Sequence, residues 1–196
     1  MLSDGLHDVP TGKVAMVVTH LQMMAPAPLR DLALPDGITF RQVQPDVDWY
    51  RDVFDRVGTP WLWYGRRKID DAALKAEISD PKVSIFTLAR NGQDEALLEL
   101  DFRKDGECEL AYFGLTNKLI GSGAGRYLMN QAIRLAWVDG VKRFHVHTCT
   151  FDSPQALDFY IRSGFTPYRR QVEIDDDPRL AKVLPEHAAP HVPVID

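Results

Sequence analysis

Basic charge, cysteine and long apolar runs are all scarce in this chain, and each scarcity removes a class of function. Lys and Arg number 23 against 28 Asp and Glu, for a formal net charge of −5 and a pI near 5.7. The overall field therefore gives a nucleic acid nothing to bind, and it favours a cationic partner. Two cysteines, Cys108 and Cys149, are too few for a disulfide framework, and with no signal-peptide pattern they fit a reduced, cytoplasmic compartment. No apolar stretch approaches the roughly 20 residues of a membrane helix, so no membrane partner is expected. Internal repeats are absent as well. What remains, at 45% hydrophobic and 26% charged over 196 residues, is the composition of one domain with a well-buried core.

The chain is organised around residues 107–136. Apolar and aromatic residues over 107–115 predict a half-buried strand, and Leu128, Met129, Ala132, Ile133, Leu135 and Ala136 recur at helical spacing. Between them lie Gly121, Gly123 and Gly125. Glycines here let the backbone turn sharply and approach a ligand, and the helix that follows points unpaired N–H groups and its positive dipole end at the same place. That is a phosphate site. It is not a P-loop, because Gly125 is followed by Arg126-Tyr127 rather than Lys-Ser/Thr. Nor is it a dinucleotide fingerprint, which would place a glycine at Arg126 and an acidic residue at the end of the next strand.

Glu109-Leu-Ala-Tyr-Phe-Gly-Leu115 followed by Ile120-Gly-Ser-Gly-Ala-Gly125 resembles the acetyl-CoA motif of the GNAT acetyltransferase superfamily, Gln/Arg-x-x-Gly-x-Gly/Ala. Gly123 and Gly125 match the fixed places, and Ile120 stands where Gln or Arg is usual. A second block, Ser153-Pro-Gln-Ala-Leu-Asp-Phe-Tyr160-Ile-Arg-Ser-Gly164-Phe165, is similar to the family's Asn-x-x-Ala-x-x-Phe-Tyr-x-x-x-Gly-Phe, with Ser153 for Asn. The resemblance covers residues 38–174. It implies an α/β fold: a mixed, mostly antiparallel central sheet, splayed open at the acetyl-CoA site and flanked by about four helices. It also implies that backbone groups near Phe113 and Leu115 bind the pantetheine and thioester. The phosphates then fall to Ile120, Gly121, Ser122, Gly123, Ala124, Gly125 and Arg126, with Ser153 near the cofactor. Tyr160 stands where the family places an acid for the departing thiolate.

In chain order, residues 13–23 are apolar and β-branched enough for an extra strand, set in an N-terminal extension, 1–37, outside the resemblance. That strand is expected at a sheet edge or against a second subunit, which would make a homodimer. A strand at 38–43, a helix at 46–57 and a short helix at 70–79 capped by Asp70 or Asp71 follow. Strands at 83–89, 95–103 and 107–115, joined by Asn91-Gly92 and Asp105-Gly106, predict an antiparallel meander. On the third strand Glu107, Glu109 and Ala111 alternate with Cys108, Leu110 and Tyr112. A strand at 143–150, a helix at 153–163 capped by Ser153 or Asp152, and a last strand at 165–174 complete the domain. The acidic, then proline- and alanine-rich tail, 175–196, gives no pattern of order.

Acetyl transfer to an amine needs a proton acceptor, because an alkylamine of pKa ~10.4 is almost wholly protonated at pH 7. Glu109 is the first candidate, with Glu99, Asp101 and His147 as rivals. Some members of the family carry a glutamate at the place of Glu109. A backbone N–H at Phe113 or Leu115 would stabilise the negative charge that develops on the thioester oxygen. The aromatic and basic stretch 59–68, with Trp61 and Trp63, either folds onto the core or walls the acceptor pocket; Glu99 and His147 are further acceptor contacts. His145, His147 and Cys149 alternate on one strand at ~6.6 Å intervals, too spread to share a tetrahedral metal, and no metal is expected. The expected function is therefore acetyl transfer from acetyl-CoA to a primary amine of a small molecule or peptide, by direct attack in a ternary complex. The alternative is an acyl-CoA-binding module for regulation or assembly, without turnover.

Overall fold

The computed structural model describes residues 3–196, and its strands join in one eight-stranded sheet. The elements in chain order are β1 (Lys13–Met23), β2 (Ile38–Val43), α1 (Val47–Gly58), two 3₁₀ turns (Thr59–Trp61 and Gly65–Arg67), α2 (Asp71–Ile78), β3 (Val83–Arg90), β4 (Gln93–Asp94), β5 (Ala96–Asp101), β6 (Glu107–Leu115), α3 (Ala124–Ala136), β7 (Arg143–Cys149), α4 (Ala156–Arg162) and β8 (Thr166–Asp176). The strand order is β2-β3-β5-β6-β7-β1-β8, with the two-residue β4 paired to β3. All pairings are antiparallel except β6 with β7. The sheet is mixed, mostly antiparallel and flanked by four α-helices, as expected.

The parallel pair opens the sheet. β6 and β7 pair only at Glu107↔Arg143, Cys108↔Phe144 and Glu109↔His145. Beyond Glu109 the β7-facing main chain of β6 has no strand partner, and the two strands diverge around a cleft. A β-bulge lies at the same place. Glu99 faces Tyr112 and Leu100 faces Leu110, so Ala111 is the extra residue. The strict alternation expected on this strand therefore fails at Ala111, and Tyr112 moves onto the face of Glu109.

The N-terminal strand lies at neither edge. β1 is inserted between β7 and β8 and pairs along its length with both, from Val18↔Cys149 to Met23↔Phe144 on one side and from Lys13↔Asp176 to Gln22↔Thr166 on the other. A second register shift, between His20 and Leu21, leaves Tyr168 as its extra residue.

Helices cover both faces. α1 and α2 begin at Asp46 and Asp70, whose carboxylates each accept from the backbone N–H three residues on, at 2.8 Å. Their apolar side buries Tyr50, Phe54 and Leu74 against Ile85 and Leu97. On the opposite face α3 buries Leu128, Met129, Ala132 and Ile133 against Leu98, Leu100, Leu110 and Phe144, and Tyr160 of α4 joins that cluster. α4 starts at Ala156 with Gln155 at its N-cap and no side-chain cap, so neither Ser153 nor Asp152 caps it.

The tail is packed. Leu184, Ala188, Ala189 and Val192 are buried on Val14, Met16 and Val18 of β1, with Leu62 and Phe151. Arg179, 4% exposed, holds the tail together. Its guanidinium donates to both carboxylate oxygens of Asp177 at 2.9 and 2.7 Å, and to the carbonyls of Ala188, Ala189, Val192 and Pro193 at 3.2, 3.4, 2.8 and 3.5 Å. Proline- and alanine-rich composition leaves few side chains to order such a segment; here one buried arginine satisfies its carbonyls instead.

Candidate active site

A cavity of about 550 Å³ runs through the gap between β6 and β7. One end is the glycine loop. Gly121 and Gly123 have φ of +81° and +91°, values that side-chain-bearing residues rarely adopt, and Gly123 is the N-cap of α3. Seven residues, 120–126, were expected to offer N–H groups to phosphate. Three of these groups are used internally: Ser122 N–H donates to Leu119 O, Ala124 N–H to Ser122 Oγ, and Arg126 N–H to Gly123 O. The N–H groups of Ile120, Gly121, Gly123 and Gly125 find no acceptor among the described residues, and all four residues line the cavity with Arg126. Ser122 and Ala124 do not line it. Ser122 spends its hydroxyl on Leu119 O at 2.7 Å, and Ala124 is fully buried. The side chain of Ile120 is exposed, so the missing Gln/Arg leaves the backbone cradle unaltered. Such a cradle, with unpaired amides at a helix N-terminus, fits the pyrophosphate of acetyl-CoA.

Along the gap stand Phe113, Leu115, Ser153 and Tyr160, all in the lining. The Tyr160 ring is 7% exposed and packs edge-on against Phe113, Phe159 and Phe165. Its hydroxyl makes no hydrogen bond among the described residues. Burial, and then the Asp152 carboxylate, push its pKa well above the usual phenol value, so it carries its proton throughout the neutral range. Ser153 sits in the turn before α4, where its carbonyl accepts from Ala156 N–H at 2.8 Å.

The proton acceptors sort themselves clearly. Glu99 does not reach the cavity: it is fully buried, bonded to the Tyr50 hydroxyl and to Arg66 at 2.5 Å. The expectation of Glu99 as an acceptor contact fails because α1 and the loop after it cover its face of β5. Burial raises its pKa against the pull of Arg66 and Tyr50. Asp101 is held by Arg103 at 2.6 Å; partial burial would raise its pKa, but the hydrogen bonds from Arg103 bring it below the usual range. His147 lines the cavity. Glu109 does not, but its Oε1 lies 3.6 Å from His147 Nδ1, an ion pair slightly longer than a direct hydrogen bond. This contact is the main cause of the shift on each side: His147 holds the Glu109 carboxyl below the ordinary range, and Glu109 raises the His147 imidazole against the opposing effect of burial. His145 is turned to Glu107, 3.3 Å away, and burial lowers it.

Trp61 and Trp63 both line the cavity, but they differ in what else they do. Trp63 packs on Phe54 and Tyr112 and fills the space over Gly58 and Gly114, where an added Cβ would come within 2.5 Å of Trp63 Cβ and 2.4 Å of Val57 Cγ1 respectively. Among the described residues, the one aromatic ring that Trp61 meets is His191 of the tail, edge-on. Asp152, weighed from the sequence only as a helix cap, is the hub of this wall. It accepts from Trp63 Nε1 at 3.0 Å, from Thr148 Oγ1 at 2.6 Å and from Cys149 N–H at 3.0 Å. Its place directly before Ser153 was the available signal. Tyr64, also in the lining, belongs to the aromatic stretch 59–68 expected as a pocket wall, whereas Glu173 carried no signal.

No protein-family model matches the sequence, and no curated protein matches it. Solved structures do match. A GCN5-related N-acetyltransferase from Sphaerobacter thermophilus superposes with a TM-score of 0.62 at 13% identity, over 83% of this chain and 52% of that one. Another from Kribbella flavida gives 0.55 at 18%, over 87% and 63%. A putative GNAT-family acetyltransferase from Novosphingobium aromaticivorans gives 0.55 at 15%, over 85% and 67%. This chain thus spans about half to two thirds of the length of these proteins. The fold is that of the GNAT superfamily. Among the described residues no helix is long and apolar enough to cross a membrane.

Proposed function

We propose that the protein is an acetyl-CoA-dependent N-acetyltransferase acting on a primary amine. The observation that carries this is the conjunction, in one cavity, of four unpaired backbone amides at the head of α3, an always-protonated tyrosine and a histidine–carboxylate pair. Acetyl-CoA supplies the activated acyl group. The chain's residues would act around it as follows. Amides of the glycine loop and Arg126 hold the phosphates. Free main-chain N–H groups on β6 near Phe113 face the carbonyl oxygen as it gains negative charge. His147 Nε2 takes the proton of the attacking amine, while Glu109, beside Nδ1, orients the ring and favours its charged form. Tyr160 gives its proton to the departing sulfur.

His147 suits the proton-accepting role better than Glu109. Its ordinary pKa lies near 6.5 and is raised, whereas Glu109 is lowered and so is a weak base at neutral pH. Burial pushes the Cys149 thiol up to about 11, which leaves it a thiol rather than a thiolate at pH 7 and favours direct transfer over a covalent acyl-cysteine.

The test is thiol release from acetyl-CoA with a panel of amines, as a function of pH. His147→Gln should cost about 10²–10⁴ in kcat/KM. Glu109→Gln removes the charge that raises His147, so the acid limb of the profile should move to lower pH, with most of the rate retained on the alkaline side. Should Glu109→Gln instead abolish activity at every pH while His147→Gln is tolerated, the roles are exchanged. Acetyl-CoA binding without thiol release from any amine would favour the binding-module reading.

A further inference from the structure

We infer that the acceptor is an elongated amine with a second cationic group, and that Glu173 binds this second group at the far end of the cavity. The inference rests on the transferase reading above. The charges in the lining are unevenly placed. Its one arginine, Arg126, stands at the glycine loop, and no lysine is present; away from that loop the lining has His147, Asp152 and Glu173. Asp152 is occupied by its three donors. On the same rim Lys68 is taken by Asp175 at 2.5 Å, and the Tyr64 hydroxyl donates to Asp175 as well. Among the described residues the Glu173 side chain makes no ion pair or hydrogen bond, and it is a carboxylate with an apolar approach.

That approach is set by register. His147 pairs with His20 on β1, and Glu173 pairs with Met16, four residues back along the same strand and on its other side. Strand geometry makes the separation about 13 Å along β1 and about 10 Å across the strands. The floor between them is Val18, Met16 and Cys149, and Trp61 and Tyr64 stand over it. The backbone of Glu173 is thus well away from that of His147, beside which the reacting nitrogen would lie, although the Glu173 carboxylate is among the groups that raise the His147 imidazole. A carboxylate next to that nitrogen would in any case stabilise its ammonium form and oppose attack. A cation at the far end of a long, apolar or flexible spacer meets neither objection, and the indole and phenol faces add to its attraction.

Three matched probes decide: 1,8-diaminooctane, octylamine and 8-aminooctanoate, whose distal ends are cationic, neutral and anionic. In the wild type, kcat/KM from thiol release should fall in that order. Glu173 is exposed, so Glu173→Gln should raise KM for the diamine about fivefold, with kcat held and octylamine little changed; Glu173→Lys should move the preference toward 8-aminooctanoate. Equal wild-type constants for the diamine and octylamine, or a loss in Glu173→Gln shared by all three probes, would overturn the inference. If no probe releases thiol, the transferase reading fails separately, and quenching of tryptophan fluorescence by the three probes still decides. Tighter diamine binding that is lost in Glu173→Gln upholds the distal cation site, while equal binding or none refutes it.

Discussion

Replacing Arg179 by methionine keeps much of the side chain's length and removes all of its hydrogen bonds. Asp177, 1% exposed, would be left as an unpaired buried carboxylate, and four carbonyls of the tail would lose their donor. Breaking one side of a buried pair costs about 3–5 kcal/mol. For a chain of this size each kcal/mol moves Tm by about 2–4 °C, so a fall of about 6–20 °C is expected if the tail melts with the rest. If the tail detaches first, the loss is limited to its own docking energy and appears as local opening. Differential scanning calorimetry and limited proteolysis distinguish these outcomes, with cleavage within residues 180–196 marking detachment. Detachment would uncover Met16, Val18 and Leu62, now 6, 5 and 3% exposed, two of them on the cavity floor. KM for the acceptor should then rise more than KM for acetyl-CoA. The Arg179 bond also depresses the folded-state pKa of Asp177. The pair's contribution is therefore complete above the unfolded-state value of about 3.9 and is lost only as pH falls below it toward the folded-state value. A variant with unchanged Tm, a protected tail and unchanged acid stability would refute the whole argument.

Gly123→Val forces a β-branched residue to φ +91°, at a cost of about 1–2 kcal/mol, and should weaken acetyl-CoA binding in calorimetric titration at least tenfold. Gly106→Val, at φ +76° in the turn at the opposite end of β6 from the loop, carries the same strain and should leave affinity unchanged; equal losses in both would mean that strain alone was measured. Tyr160→Phe preserves the ring contacts and gives up a hydroxyl with no protein partner, so Tm and acetyl-CoA affinity should hold while turnover drops, and normal turnover would make Tyr160 structural. Trp63→Ala empties space beside Phe54 and Tyr112 and should lower stability by about 3–5 kcal/mol, whereas Trp61→Ala should raise acceptor KM with little change in Tm.

The parts of the fold that were legible are those fixed by local chemistry. The bounds of β1 and β2 follow from β-branched runs and those of β6 from an apolar and aromatic run between turn signals, and the glycine loop follows from residues that tolerate positive φ. The parts that were not legible depend on what lies across space. Nothing near Ala111 marks it as a bulge, since alanine and tyrosine fit either face of a strand. Glu99 alternates with Leu98 and Leu100 and reads as a carboxylate available to an acceptor; only the packing of α1 and the loop after it shows that Tyr50 and Arg66 consume it. Arg179 reads as an exposed charge in a weakly patterned tail, because its acceptors are carbonyls that have no signature in a sequence.

The position of β1 links these non-local features to the site. A strand that leaves its partner exposes a row of main-chain donors and acceptors, and a sheet ordinarily closes such a gap by pairing. Here β7 cannot swing back toward β6, because its other edge is fixed by pairing with β1 from Val18 to Met23, and β1 is fixed in turn by β8. The bulge at Ala111 turns β6 away on the opposite side. Both walls of the cleft are thus held apart by hydrogen-bonded ladders rather than by loops, so the cavity does not depend on a ligand to open it. The same strand supplies Met16 and Val18 to the cavity floor, and the tail packs on that same face, against Val14, Met16 and Val18. The N-terminal residues, outside the motif-bearing part of the sequence, therefore set both the width of the gap and the length of the groove that continues from it.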